Sequence, residues 1–168
     1  MSNPHPSPEP VPDGSPSTDK QSVPDNPPSL LDAVVLLADS AQVSEGKLYI
    51  LGGGLTVIGP RPQPVGIAIR IQVPWDRANI AHQWKLELID EDGHPVKANN
   101  DKTVVVGGRF EAGRPAGLRA GTPLSVPLAI NFATLPLKPG RGYSWRLSID
   151  EETRTNWRAG FSVRPPKQ

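Results

Sequence analysis

The strictest hydrophobic pattern in the chain lies near its end, between Tyr143 and Asp150. Apolar and polar residues alternate there without a break, in the order Tyr-Ser-Trp-Arg-Leu-Ser-Ile-Asp. Successive side chains of a strand point to opposite faces of a sheet. The stretch therefore predicts a β-strand that buries one face and leaves the other in solvent.

A two-residue period recurs in other short stretches, at residues 65–73, 83–90 and 122–132. Residues 156–163 are predicted to form the last strand of the domain. Residues 30–38 and 47–51 predict two strands of a hairpin, joined by the polar residues 39–46. Turn signals separate these stretches, and no helical pattern exceeds two turns. We therefore predict an all-β protein, an antiparallel β-sandwich of immunoglobulin-like Greek-key topology. A jelly roll or a C2-like sandwich is the alternative.

Residues 122–132 are predicted to form an edge strand. Pro123 and Pro127 fall on the face opposite the apolar positions, and a residue without an N–H group is tolerated at the edge of a sheet. An open edge offers unpaired backbone groups to another chain. A homodimer through this strand is therefore one expected mode of assembly.

Residues 137–143, Leu-Lys-Pro-Gly-Arg-Gly-Tyr, match the spacing of a tyrosine corner. In immunoglobulin-like and fibronectin type III sandwiches, which this motif resembles, the tyrosine hydroxyl bonds the backbone a few residues upstream. We assign Tyr143 a structural role, because the motif fixes topology and carries no activity.

Two tryptophans begin similar stretches, Trp-Lys-Leu-Glu-Leu from Trp84 and Trp-Arg-Leu-Ser-Ile from Trp145. We predict two neighbouring central strands, each placing a tryptophan in the core. Acidic residues follow both strands, at 90–92 and at 150–152. Antiparallel neighbours would carry these acids to opposite ends of the sandwich, whereas any other arrangement could bring them together on a calcium ion. Solvated turns are the default expectation.

Composition divides the 168-residue chain in two. Residues 1–29 hold nine of the 21 prolines and no aromatic residue, which predicts a disordered Pro-rich tail before a single domain at residues 30–165. The tail carries four acids and one base, a net charge of −3, whereas the chain as a whole has a net charge of +1. There is no cysteine, no secretory signal pattern and no membrane-spanning apolar run, so we expect a cytoplasmic location and no membrane partner.

Motifs for catalysis and cofactor binding are absent from the sequence, which leads us to expect no enzyme activity, no cofactor and no metal. The three glycines at 52–54 lack the Lys-Ser/Thr ending of a phosphate loop and are not followed by a helix. His82 and His94 are the only histidines of the domain. An enzyme would have to use one of them beside an aspartate, and surface histidines are the plainer interpretation.

Arginines and one tryptophan mark the long loops. The candidate binding residues are Trp75, Arg77, Arg109, Arg114 and Arg119. The arginines could hold an anionic partner, but they lack the interleaved exposed aromatics of single-strand binders, which disfavours nucleic acid. Trp75 would be the stacking residue of a small-molecule or carbohydrate site.

Several segments together resemble an uncharacterised, largely actinobacterial family known only as a domain of unknown function. They are residues 36–43, 46–54, 73–79, 88–93, 113–115 and 121–124. The likeness implies a compact bacterial single-domain protein and brings no activity or site residue with it. We therefore expect a non-catalytic protein-interaction or assembly module, acting through a sheet face, an edge strand or end loops. A small-molecule or carbohydrate-binding sandwich is the alternative.

Overall fold

The structure is a computed structural model that describes residues 30–98 and 100–167, so the predicted tail at residues 1–29 lies outside the described residues. The strands in chain order are β1 (Asp32–Ala38), β2 (Ser40–Ser44), β3 (Lys47–Leu51), β4 (Val57–Ile58), β5 (Val65–Val73), β6 (Ala81–Asp90), β7 (Val105–Glu111), β8 (Leu124–Phe132), β9 (Gly142–Ile149) and β10 (Glu152–Val163). One short 3₁₀ helix, Trp75–Arg77, follows β5. No helix in the described part of the chain is long and apolar enough to cross a membrane.

The strands form a β-sandwich. One sheet has the order β1-β5-β8 and is antiparallel throughout. The facing sheet has the order β4-β10-β9-β6-β7, in which only β4 and β10 are parallel. In the three-stranded sheet, β1, β5 and β8 occupy the A, B and E positions of an immunoglobulin domain. In the facing sheet, β6, β9 and β10 occupy the C, F and G positions. The predicted antiparallel, immunoglobulin-like sandwich is confirmed.

The core lies between the two sheets. The inward side chains of β9 are at most 8% exposed, which agrees with the alternation seen in the sequence. Trp145 is fully buried and stacks on Phe132, with their ring centroids 5.0 Å apart. Trp84 packs against the same core but is only partly buried. It pairs with Gly108 of the outermost strand β7, where an added Cβ would lie 3.1 Å from the indole Nε1.

The two tryptophan strands, β6 and β9, are antiparallel neighbours. Their register pairs Trp84 with Ile149 and Asp90 with Tyr143, so the acidic turns after the two strands lie at opposite ends of the sandwich. The expected default is therefore correct, and a single calcium site joining the two turns is ruled out by topology.

The tyrosine corner precedes β9. The Lys138 backbone N–H donates a hydrogen bond to Tyr143 Oη at 2.9 Å, and the tyrosine ring stacks on Phe161 at a centroid distance of 5.8 Å. The hydroxyl therefore accepts the bond and ties the 137–142 turn to the start of the strand.

The predicted hairpin of residues 30–38 with residues 47–51 is wrong. β1 pairs with β5, and the partner of β3 is β2, formed by the polar residues assigned to the connection. Glu45 and Gly46 adopt φ of 49° and 70°, the left-handed pair of a two-residue hairpin turn. This turn closes the ribbon locally and leaves β1 free to join the sheet.

β8 lies at the edge of its sheet, as the two prolines predict. Pro127 pairs with Arg70 of β5, and the inward residues of β8 after Leu124 are only partly buried.

Candidate functional site

One end of the sandwich collects most of the residues that the sequence nominates. We call it the loop end. It comprises the start of β1, the 3₁₀ helix after β5, the start of β6, the loop at residues 112–123 and the turn between β9 and β10. The strand registers place these elements together, because Asp32 pairs with Gln72 and Ala81 pairs with Glu111. The Asn79 backbone N–H also donates to the Ala112 carbonyl at 2.9 Å.

Trp75 and Arg114 are in direct contact at the loop end. The Arg114 guanidinium carbon lies 4.7 Å from the centroid of the Trp75 ring. Nη2 of the same guanidinium donates to the Trp75 carbonyl at 2.8 Å. A cation over an indole face is attracted by the ring quadrupole. The arginine is therefore held in a fixed position, although 39 residues separate it from the tryptophan.

The other three candidate arginines are not gathered around Trp75 in the same way. Arg77 ends the 3₁₀ helix and acts electrostatically on Asp150. Arg109 is an exposed residue of β7 opposite Gln83, and Arg119 is exposed in the 112–123 loop. Their binding role stays a prediction.

A histidine–aspartate pair lies at the same end, and it contains His82, one of the two histidines that the sequence analysis considered beside an aspartate. The expectation of a surface histidine is wrong for His82, which is buried. His82 is 1% exposed, and its Nδ1 is 2.6 Å from Asp150 Oδ2. The second oxygen, Oδ1, accepts a bond from the Gln83 backbone N–H at 2.9 Å. Burial alone would raise the pKa of the Asp150 carboxyl. The bonds from His82 and Gln83, with the nearby Arg77, outweigh burial and hold that pKa below its ordinary value of 3.8.

The environment of His82 suits a structural role. Its ring stacks on Phe110 at a centroid distance of 5.2 Å, and its Nε2 is buried without a hydrogen-bond partner within the described residues. A general base must reach the proton that it abstracts. This ring is closed to solvent, so the pair braces β6 against the β9–β10 turn.

The turn after β6 brings together Asp90, Asp92 and His94. One ligand atom from each lies within 4.8 Å of the others. Asp90 Oδ1 accepts bonds from the backbone N–H groups of Asp92 and His94, at 3.0 and 2.8 Å. That pattern is the side-chain turn that aspartate makes with its own backbone. It accounts for the geometry without an ion.

The opposite end of the molecule carries an apolar surface that the sequence analysis missed. Seven of the eleven exposed large apolar residues of the described chain fall between residues 34 and 57. We define the hairpin surface as six of them, two on the outer face of β1 and four on the β2–β3 hairpin: Val34, Leu36, Val43, Tyr49, Ile50 and Leu51.

The members of the hairpin surface are brought together by packing of the hairpin on the three-stranded sheet. The hairpin crosses the outer face at Gly66, where an added Cβ would lie 2.7 Å from Ser40 Cα. Asn131 of β8 clamps it with two bonds, from the Ala41 N–H to Oδ1 at 3.0 Å and from Nδ2 to the Ala41 carbonyl at 2.8 Å. Leu36 lies on the same outer face, two register positions from Gly66, because it pairs with Ala68.

Both faces of the hairpin carry exposed apolar side chains. Val43 and Ile50 share one face, whereas Tyr49 and Leu51 share the other, at 51% and 69% exposure. The signal in the sequence was the unbroken run Leu-Tyr-Ile-Leu at 48–51, which leaves a two-stranded ribbon no polar face on that strand. The sequence pattern could not show that no further sheet among the described residues covers it.

Comparison with family models matches residues 33–161 to DUF6941, described as a family of unknown function. The chain belongs to this family. The match covers both sheets and both candidate surfaces, so the loop end and the hairpin surface lie within the family domain. Comparison with curated proteins gives no match. The membership fixes the family and supplies no activity.

Proposed function

We propose that this protein is a non-catalytic protein-binding module that engages its partner through the hairpin surface. The observation that carries the proposal is the concentration of exposed large apolar side chains on β1 and on the β2–β3 hairpin. Exposed apolar side chains that are grouped on neighbouring elements mark an interaction site more often than singly scattered ones do.

The way the hairpin is held supports this proposal. Asn131 and the close approach at Gly66 fix the ribbon to the sandwich, so its side chains are presented in a set position. A rigid surface loses little entropy on binding. Tyr49 adds an aromatic side chain of the kind enriched at the centre of protein interfaces.

A second candidate function, binding of a small molecule or carbohydrate, is favoured by one observation at the loop end. A depression of about 430 Å³ lies beside Trp75, within the size range of ligand pockets. The Arg114 guanidinium already occupies one approach to the Trp75 ring, which leaves less of the indole for a sugar to stack on.

The protein-binding proposal is tested by capture of partners from lysate with the full chain and two single variants. Leu51→Asp places a charge on the hairpin surface, and Leu118→Asp is the matched control, an exposed leucine at the loop end. We expect a stoichiometric partner that the Leu118→Asp chain retains and the Leu51→Asp chain loses. Equal capture by both variants would refute the hairpin surface as the binding site.

Self-association is the other outcome to measure. Mass in solution detects a dimer, and comparison with Leu51→Asp tells whether it forms through the hairpin surface or through the edge of β8. Leu51→Asp abolishes the first kind of dimer and leaves the second intact.

A further inference from the structure

The outermost strand of the five-stranded sheet, β7, presents an open edge. It is seven residues long and contains no proline, and no strand of the described chain pairs with it on the side away from β6. The other edges of the two sheets are shorter or obstructed: β4 has two residues, β8 contains Pro127, and the Leu37 carbonyl of β1 accepts the Gly54 N–H at 2.8 Å. An open edge without proline is a template for a further strand.

The ladder between β6 and β7 shows which backbone groups face this edge. The Leu88 N–H donates to the Val104 carbonyl at 3.0 Å, just before β7, so the even-numbered residues of this ladder bond toward each other. The Asp150 N–H donates to the Gln83 carbonyl at 2.8 Å, so the odd-numbered residues of β6 bond toward β9 instead. Bonding direction alternates along a strand of an antiparallel ladder. The outward N–H and C=O groups of β7 are therefore those of residues 105, 107, 109 and 111.

A second copy of β7 fits this edge, because the strand is complementary to itself. The antiparallel register that pairs all seven residues places Gly108 opposite Gly108 of the second copy and Val106 opposite Phe110. Val106 and Phe110 belong to the core face of the sheet, so their pairs would continue the core across the junction. Cross-strand pairs of aromatic and β-branched residues stabilise a sheet.

Trp84 favours the same register. It pairs with Gly108, and its indole lies so close over this glycine that an added Cβ would be 3.1 Å from Nε1. The tryptophan is only partly buried, and Gly108 offers no side chain to cover it. With Gly108 opposite Gly108, the two glycines leave room for the two indoles to pack toward each other.

The outer face of the paired strands sets no like charges directly opposite each other. Gly107 lies opposite Arg109 and Val105 opposite Glu111, and each of these pairs can exchange backbone bonds because its groups point to the open edge. A slip of one residue would set outward groups opposite inward ones. Either slip of two residues shortens the ladder, and one of them sets Arg109 opposite Arg109, which is unfavourable.

We propose that β7 is a homodimerisation strand, through which two copies join their five-stranded sheets into one antiparallel sheet about a two-fold axis at Gly108. Such an interface uses the same surface of both copies and therefore closes at two. A single strand pair is a small interface, so the dimer dissociates on dilution. It does not use the hairpin surface, which belongs to the other side of the sandwich, and it is independent of the proposed function.

Sedimentation of the full chain over a series of concentrations tests the proposal, with two variants at one outward position. Arg109→Pro removes an N–H group of the open edge and no bond to β6, whereas Arg109→Ala keeps that N–H and is the matched control. We expect Arg109→Pro to raise the dimer dissociation constant at least about tenfold, because each dimer loses two backbone bonds. Arg109→Ala and Leu51→Asp should leave a dimer in place. Circular dichroism checks that each variant is folded.

Nuclear magnetic resonance on a mixture of labelled and unlabelled wild-type chains tests the register without any substitution. Val106 and Phe110 of one strand are about 13 Å apart, at about 3.3 Å per residue, so a contact between them arises only between copies. We expect nuclear Overhauser contacts between Val106 methyl groups and the Phe110 ring of the other copy.

Three results would overturn the proposal. The first is a monomer at the concentration of the resonance sample, and the second is a dimer that lacks the contacts between Val106 and Phe110. The third is equal dimerisation of folded Arg109→Pro and Arg109→Ala. Loss of the dimer in Leu51→Asp would assign it to the hairpin surface and overturn the role of β7 while leaving the hairpin surface as a binding site.

Discussion

Replacing Tyr143 by phenylalanine gives the sharpest test of the tyrosine corner. The change removes one oxygen and keeps the ring, which is 8% exposed and stacks on Phe161. What is lost is the 2.9 Å bond from the Lys138 N–H. That donor belongs to an exposed residue and can be partly hydrated once the acceptor is gone.

The expected cost follows from that geometry. A single neutral hydrogen bond contributes about 0.5–1.5 kcal/mol net, and leaving a fully buried group unpaired costs about 1–3 kcal/mol. Because the Lys138 donor is only partly shielded, we expect a loss of about 1 kcal/mol. For a domain of this size, that corresponds to a decrease in Tm of roughly 3–5 °C.

Thermal and urea unfolding measure this loss, and the second tyrosine of the chain supplies the control. Tyr49 is half exposed on the hairpin, so Tyr49→Phe should leave Tm unchanged. Amide exchange at Lys138 should accelerate in Tyr143→Phe and stay unchanged in Tyr49→Phe. An unchanged Tm for Tyr143→Phe, or an equal decrease for Tyr49→Phe, would refute the argument.

Three further predictions concern the two ends of the sandwich. Asp150→Asn should lower Tm at neutral pH, because the carboxylate is the form that the folded protein stabilises, with a pKa below its ordinary value. The higher Tm of the wild type is present above about pH 4 and is lost as pH falls through the folded pKa of Asp150. Measuring the Tm of both proteins against pH checks this. Gly66→Ala should cost on the order of 1–3 kcal/mol in urea unfolding, because the new Cβ meets the hairpin backbone, whereas Gly113→Ala has open space and should be neutral. Asn131→Ala loses two bonds to the hairpin, at about 1 kcal/mol each, so amide exchange should accelerate in β2 and β3 but not in β5.

Local patterning was sufficient to predict much of this fold. The alternation at 143–149, the Pro-Gly turn before it and the edge prolines each act over a few residues, and each predicted its element correctly. The hairpin was predicted wrongly for the same reason: a polar run such as Ser40–Ser44 has no strand signature of its own. It becomes a strand because a two-residue turn at Glu45 and Gly46 pairs it with β3.

The candidate surfaces depend on contacts that no local pattern encodes. Arg114 meets Trp75 across 39 residues, Asp150 meets His82 across 68, and Asn131 meets the hairpin across 90. Sequence could nominate Trp75 and Arg114 as residue types, but only the strand registers bring them together. The hairpin surface is a sharper case, because Leu51 stays exposed where no element of the described chain packs on that side of the hairpin. The topology that buries Trp145 thus gives the sandwich two ends that differ in chemistry: one is apolar, and the other pairs an indole with arginine.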